Sequence, residues 1–223
     1  MRRVVLAATL AALAGCGGSD AKPKPEVTPA ATEQSATGCQ VVDASGLAPR
    51  TTTLPKPSVQ LDPAKTYVAT LETNCGAFEI TLDAKRAPLT GGSFKYLADH
   101  KFYDDTLIHR IVPQFVFQGG DPQGTGEGGP GYSVVEKPPG TLKYTTGVVA
   151  MAKTAQESPG TSGSQFFVVT GDDALTLPPE YALLGKITGG EGSVQRIGEI
   201  VTDPRTDKPE EPVLVKSVRV SER

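Results

Sequence analysis

Punctuation constrains this chain more than any motif: 25 glycines and 19 prolines fall among 223 residues, about a fifth of the sequence where an average protein carries roughly 12%. Both residues interrupt helices, so the apolar side chains come in short runs. Hydrophobic residues make up 38%; with glycine counted among the apolar positions the composition is that of a globular protein, and a core can form. Residues 67–73 and 77–82 alternate apolar and polar side chains, and Asn74-Cys75-Gly76 between them makes a hairpin turn. From Ala87-Pro88 to His100 the apolar residues Phe94, Leu97 and Ala98 take helical spacing, although Gly91 and Gly92 weaken that helix. Further short strands are expected over 107–112, 115–118, 147–152, 165–170, 183–187 and 213–220. A second helix is expected over 193–200, where Val194, Ile197 and Ile200 fall on one side. Many short strands with two helices in one domain predict a mainly β protein, a closed barrel or a sandwich.

The chain opens on Arg2 and Arg3, an apolar run over 4–14, then Gly15 and Cys16. A basic start, a short apolar stretch and small residues make an export signal. The apolar run reaches only about 16 Å as a helix, half of a bilayer core of roughly 30 Å. Leu13-Ala14-Gly15-Cys16 resembles the lipobox of bacterial lipoproteins, which implies cleavage before Cys16 and a diacylglyceryl group on its thiol; the plainer alternative is a secretory signal with an incidental cysteine. Residues 17–57 are rich in Ala, Pro, Thr and Ser. Such a segment buries too little apolar area to offset its ordering entropy, so at least 17–38 is expected to be disordered. The expected organisation is a signal peptide over 1–15, a lipidated cysteine and flexible tether over 16–60, and a folded domain over 61–223. The protein is then extracytoplasmic, held to a bacterial membrane by its lipid alone.

Cys39 and Cys75 are the other two cysteines. In an oxidising compartment an even pair favours a disulfide, closing a loop of about 37 residues worth roughly 4 kcal/mol in the chain-entropy model; two separate buried thiols are the alternative. Several chemistries are missing. The net charge is −3, and a nucleic-acid binder needs a basic face. Two histidines and three cysteines leave little for a metal site, and neither metal nor cofactor is expected. Gly124-Thr125-Gly126-Glu127-Gly128-Gly129 has the spacing of a dinucleotide fingerprint, but Pro130-Gly131 follows where a helix should open. Gly160-Thr161-Ser162-Gly163-Ser164 lacks the last glycine of a hydrolase elbow and precedes a strand. An enzyme built from this inventory needs neither a nucleophile nor a metal.

The informative stretch is Phe102-Tyr103-Asp104-Asp105-Thr106-Leu107-Ile108-His109-Arg110-Ile111-Val112-Pro113-Gln114-Phe115-Val116-Phe117-Gln118-Gly119-Gly120-Asp121. With Gly163-Ser164-Gln165-Phe166-Phe167 and Leu184-Gly185-Lys186, it closely resembles the cyclophilin family of peptidyl-prolyl isomerases, over about residues 66–220. The resemblance implies a closed eight-stranded antiparallel β-barrel capped by two α-helices, with the site in a groove outside it. It implies Arg110, Phe115 and Gln118 as the catalytic set, and Val116, Ala152, Lys153, Gln165, Phe167, Leu177 and Tyr181 as substrate-binding. Strand periodicity independently puts Gln165 and Phe167 on one face and Phe166 and Val168 on the other. His109 is expected to pack or hydrogen-bond locally.

Three positions depart from the family pattern. There is no tryptophan, so Thr176 or Leu175 replaces the family's pocket-edge Trp; Tyr181 stands at the pocket-edge histidine position, and Lys153 at that of a backbone-binding asparagine. The resulting expectation is a monomeric, membrane-tethered isomerase that acts on proline-containing segments of exported proteins during folding. Because the rim is altered, a catalytically weak module that binds proline peptides on the cell surface is the alternative.

Overall fold

The structure, a computed structural model, describes residues 34–223; the expected signal peptide, the lipidation site Cys16 and the first part of the tether lie outside the described residues. In chain order the elements are β1 (Tyr67–Thr73), β2 (Gly76–Leu82), α1 (Pro88–Asp99), β3 (Thr106–Leu107), β4 (Arg110–Val112), β5 (Val116–Gly119), β6 (Val134–Val135), β7 (Val148–Met151), β8 (Thr161–Ser162), β9 (Phe166–Val169), β10 (Leu183–Gly189), α2 (Glu191–Gly198) and β11 (Leu214–Glu222), with a 3-10 turn at Asp172–Thr176. Nine strands form one curled sheet in the order β3-β11-β1-β2-β10-β7-β9-β5-β4, and β6 pairs with β8 apart from it. Every pairing is antiparallel.

The expected eight strands are therefore nine in the sheet, and the reason lies in the segment 107–112. It does not run as one strand. Ile108 N–H donates to the Val213 carbonyl at 2.9 Å and His109 N–H to the Gln118 carbonyl at 3.1 Å, so the segment changes partner between two neighbouring residues. β3 then bonds β11, and β4 bonds β5. The two outermost strands of the sheet are thus consecutive in the chain.

Alternation sorts the side chains. Leu71, Phe78, Ile80, Ile111, Phe117, Phe166 and Val168 face the inner core, joined by Phe94 and Leu97 from α1 and Ile197 from α2. Their neighbours Val116, Phe167 and Val169 point outward and pack with Tyr144, Ala150 and Leu183 into a second, smaller cluster. α1 begins with Pro88, whose fixed backbone suits a first helical turn; the Glu136 carboxylate accepts the free N–H groups of Leu89 and Thr90 at 3.1 and 2.7 Å.

The glycines that weaken this helix in sequence have a packing purpose. A Cβ at Gly91 would lie 2.5 Å from Leu61, and one at Gly92 would lie 2.4 Å from the Val59 carbonyl. The arm over 34–60 accordingly lies on the sheet and its helix, although its composition predicts a free tether. Cys39 and Cys75 form a disulfide. Gln40 and Asn74 exchange hydrogen bonds at 2.8 Å. A covalent link and main-chain bonds hold the arm, with Cys39 and Leu54 packed against the core.

Candidate active site

Cross-strand register builds the site. Arg110 on β4 stands opposite Gln118 on β5, Gln118 opposite Phe167 on β9, and Phe167 opposite Ala150 on β7. Adjacent strands are about 4.8 Å apart, so the Arg110 and Phe167 backbones are roughly 10 Å apart across Gln118. Because Ile111, Phe117 and Phe166 turn inward, this row turns outward.

Next to it is a cavity of about 180 Å³ lined by Arg110, Phe115, Val116, Gln118, Ala152, Lys153, Phe167, Leu177 and Tyr181. Of the expected catalytic and substrate-binding residues, Gln165 alone stands outside this niche; it lines the adjoining groove and accepts a hydrogen bond from the Gln118 amide at 2.8 Å. Phe115 is not in a strand. It follows the Pro113-Gln114 bend, where Gln114 takes a positive φ of 61°, and its N–H closes the turn onto the Val112 carbonyl at 3.1 Å. Leu177 follows the 3-10 turn. Thr176 and Leu175, the two candidates for the missing tryptophan's place, do not line the niche, and Leu175 is exposed.

Tyr144 holds the far wall, and nothing in its local sequence marks it. Its hydroxyl donates to the Tyr181 carbonyl at 2.8 Å and accepts the Tyr181 N–H at 3.0 Å. Burial pushes this phenol up to about 12. The rings of Phe167 and Tyr181 meet edge to face at 5.4 Å. Lys153 is turned away from a free role: its ammonium donates to the Thr154 and Glu157 carbonyls at 3.3 and 3.2 Å, and it pairs with Glu180 at 3.5 Å.

Two aspartates organise the polar side. Asp207 accepts a hydrogen bond from Arg110 Nε at 3.1 Å, and the same oxygen lies 3.0 Å from Nη2 as an ion pair. Its own carbonyl accepts the Ile111 N–H at 2.9 Å, which ties the loop after α2 to β4. Residues so far apart in sequence give no pattern to read. Asp121 is fully buried. Burial alone would raise its carboxyl, but the backbone N–H groups of Gln123, Gly128, Gly126 and Thr125 outweigh that and hold it below the usual carboxylate range. The loop gathered in this way offers the Gly126 and Gly128 carbonyls to the Gln165 amide at 2.8 and 2.9 Å. An acidic residue ahead of a glycine-rich run is a recognisable turn former, and this one positions Gln165 and, through it, Gln118.

His109 is packed, and among the described residues neither ring nitrogen has a hydrogen-bond partner; the Leu107 carbonyl nearby falls short of bonding geometry. Burial pushes its pKa down, the Arg110 charge adds to that, and Asp121 opposes it. A histidine with a lowered folded pKa binds its proton more readily when unfolded. Its contribution is therefore present above the unfolded value of about 6.5 and is lost as pH falls through the lower folded value. The unfolding temperature is expected to drop as pH is taken down from about 6.5, and His109→Gln to flatten that part of the profile. An unchanged slope in thermal scans of the variant would refute the assignment.

Among the described residues no group of His, Cys, Asp and Glu side chains is placed to hold a metal ion, and no helix is long and apolar enough to cross a membrane. The site is thus an aromatic-walled niche beside a guanidinium and paired amides, on the outside of a curled antiparallel sheet. Residues 68–220 match the model of the cyclophilin type peptidyl-prolyl cis-trans isomerase family, and the chain belongs to that family. It is 37% identical over 178 residues to peptidyl-prolyl cis-trans isomerase B of Streptomyces anulatus, covering 72% of this chain and 99% of that one. It is 35% identical over 183 residues to peptidyl-prolyl cis-trans isomerase A of Mycobacterium tuberculosis, covering 74% and 97%. A solved cyclophilin type isomerase of Cryptosporidium parvum superposes with a TM-score of 0.65 at 29% identity, covering 71% of this chain and 99% of that one. A second crystal structure of that protein, in the presence of the dipeptide Ala-Pro, gives a TM-score of 0.64 at 28% identity, covering 70% and 99%. The activity is peptidyl-prolyl cis-trans isomerisation.

Proposed function

We propose that the niche takes the proline ring of an X–Pro segment and that Arg110 eases rotation about the bond before it. Amide resonance sets a barrier of about 18–20 kcal/mol. When the bond is half turned, resonance is lost and the proline nitrogen regains a lone pair. A guanidinium N–H donated to that lone pair favours the twisted geometry over either planar one, and only such differential binding accelerates the step. No bond is made or broken, so no nucleophile is needed. The observation that carries the reading is the row Arg110–Gln118–Phe167 opening onto an apolar niche. Asp207 lies against Nε and Nη2 and leaves Nη1 without a partner among the described residues. A charge-assisted hydrogen bond contributes about 1.5–3 kcal/mol, short of the roughly 5.5–7 kcal/mol that would bring isomerisation from tens of seconds to milliseconds. Phe115, Phe167 and Leu177 around the ring, with Gln118, Ala152 and Gln165 along the backbone, supply the remainder.

The substrates on this reading are proline-containing segments of exported proteins during folding, met by a monomer anchored through lipid on Cys16. The basic and apolar N-terminus with its lipobox supports export, as does the Cys39–Cys75 disulfide, a bond that persists in oxidising compartments. The chain expressed in a bacterium with a lipoprotein pathway is expected in the membrane fraction, and Cys16→Ala in the soluble exported fraction. Acceleration of X–Pro relaxation in a peptide assay tests the chemistry. Peptide binding without acceleration would leave a binding module in its place, and an unchanged distribution of Cys16→Ala would remove the anchor.

A further inference from the structure

We propose that residues 50–54 of the N-terminal arm form a specificity wall of the substrate site, selecting the residues that flank the proline; the proposal rests on the proline-niche reading above. Beside the niche lies a larger groove of about 830 Å³. Gln118, Ala152 and Lys153 line both cavities, so a peptide with its proline in the niche continues into the groove. Thr51 and Thr53 contribute to that groove from the arm. They precede the family match, which begins at residue 68, so this wall is an addition to the isomerase fold.

The arm is seated there by contacts of its own. Arg50 N–H donates to the Pro122 carbonyl at 3.0 Å and Leu54 N–H to the Pro130 carbonyl at 2.9 Å, pinning both ends of the wall to the loop that closes the groove. The Arg50 guanidinium holds the Asp104 carbonyl. Gly131, at a φ of +83°, is what lets Thr53 come close: a Cβ there would lie 2.6 Å from the Thr53 methyl. A segment fixed at both ends beside the glycine-rich loop narrows the groove to side chains of a chosen kind. The polar part of its lining is hydroxyls, side-chain amides and main-chain groups. Its charged members are Glu127, Glu157 and Lys153, and the lysine is already paired with Glu180. The excess charge is negative, so a lysine or arginine a few residues from the proline is favoured over a glutamate.

The test uses the full chain and three blocked peptides: Ala-Pro alone, and Ala-Pro extended by three residues on each side carrying either lysine or glutamate at the flanking positions. Affinity is read by fluorescence anisotropy and turnover by X–Pro relaxation. The lysine peptide is expected to bind a few-fold more tightly than the glutamate peptide. Thr51→Trp, which fills the groove from an exposed position, is expected to lower the affinity ratio of extended to short peptide about tenfold, the scale on which pocket shape discriminates. Thr53→Trp should do the same while also disturbing the Gly131 contact. Ratios unchanged in both variants, with the disulfide intact, overturn the wall. The affinity ratio answers this even where no peptide is turned over; lost turnover with retained binding counts against the catalytic reading alone.

Discussion

Arg110→Ala is expected to lower kcat/KM for an X–Pro peptide by about 10²-fold, because a charge-assisted hydrogen bond of roughly 1.5–3 kcal/mol corresponds to one to two decades in rate. If the guanidinium acts on the twisted bond, the loss falls on kcat and leaves KM little changed. Arg110→Lys should recover little. A lysine is a point charge on a flexible stem, and it lacks the planar fork that keeps one N–H on Asp207 while aiming another at the substrate. The Arg110–Asp207 pair is about one-third exposed on each side, and such pairs contribute only about 0–1 kcal/mol to stability. Asp207 therefore matters for aim rather than for holding the loop. Asp207→Asn keeps an acceptor in place and should cost activity by about tenfold at most, again in kcat, with an unfolding temperature near that of the unaltered chain. An Arg110→Ala protein still folded and within about threefold of full activity would end the proposed chemistry.

Legibility in the sequence followed the range of the interaction that decides each feature. Strand parity is local, so the inward Phe166 and outward Phe167 follow from alternation, and the helix around Phe94 and Leu97 follows from spacing. The niche residues come from the family resemblance, and strand register together with the turns at Phe115 and Leu177 places all of them but Gln165 around one cavity. The break in 107–112 was not legible, because it depends on Val213 and Gln118 as competing partners. Asp207 and Tyr144 escaped for the same reason: each acts on a residue far along the chain. Asp121 was half visible, as the head of a glycine run whose loop nature was plain but whose hold on Gln165 needed the fold. For the arm, composition shows few apolar residues and gives no sign of its seat; over 34–60 a disulfide, glycine-lined close approaches and main-chain hydrogen bonds hold it, with Cys39 and Leu54 against the core.

Replacing both cysteines, Cys39→Ala with Cys75→Ala, is expected to destabilise the protein by up to about 4 kcal/mol, the chain-entropy value for a closed loop of this length. The two positions lie 36 apart in sequence, and the stabilisation acts mainly through the unfolded chain, which loses conformations when the loop is closed. For a domain of this size each kcal/mol moves the unfolding temperature by about 2–4 °C, so the full effect is a fall of roughly 8–16 °C. Alanine is the right replacement: both cysteines are about 2% exposed, and a serine would add the cost of an unpaired buried hydroxyl. Part of the arm should stay in place, because the Gln40–Asn74 hydrogen bonds and the seats of Arg50 and Leu54 do not involve sulfur. Limited proteolysis should therefore open the stretch around residues 41–49 before it reaches the groove wall. Since neither cysteine lines the niche or the groove, kcat/KM measured well below the transition should be unaltered. A variant melting within about 2 °C of the oxidised chain would show that the unfolded state already keeps those two segments together, and that the bond constrains almost nothing.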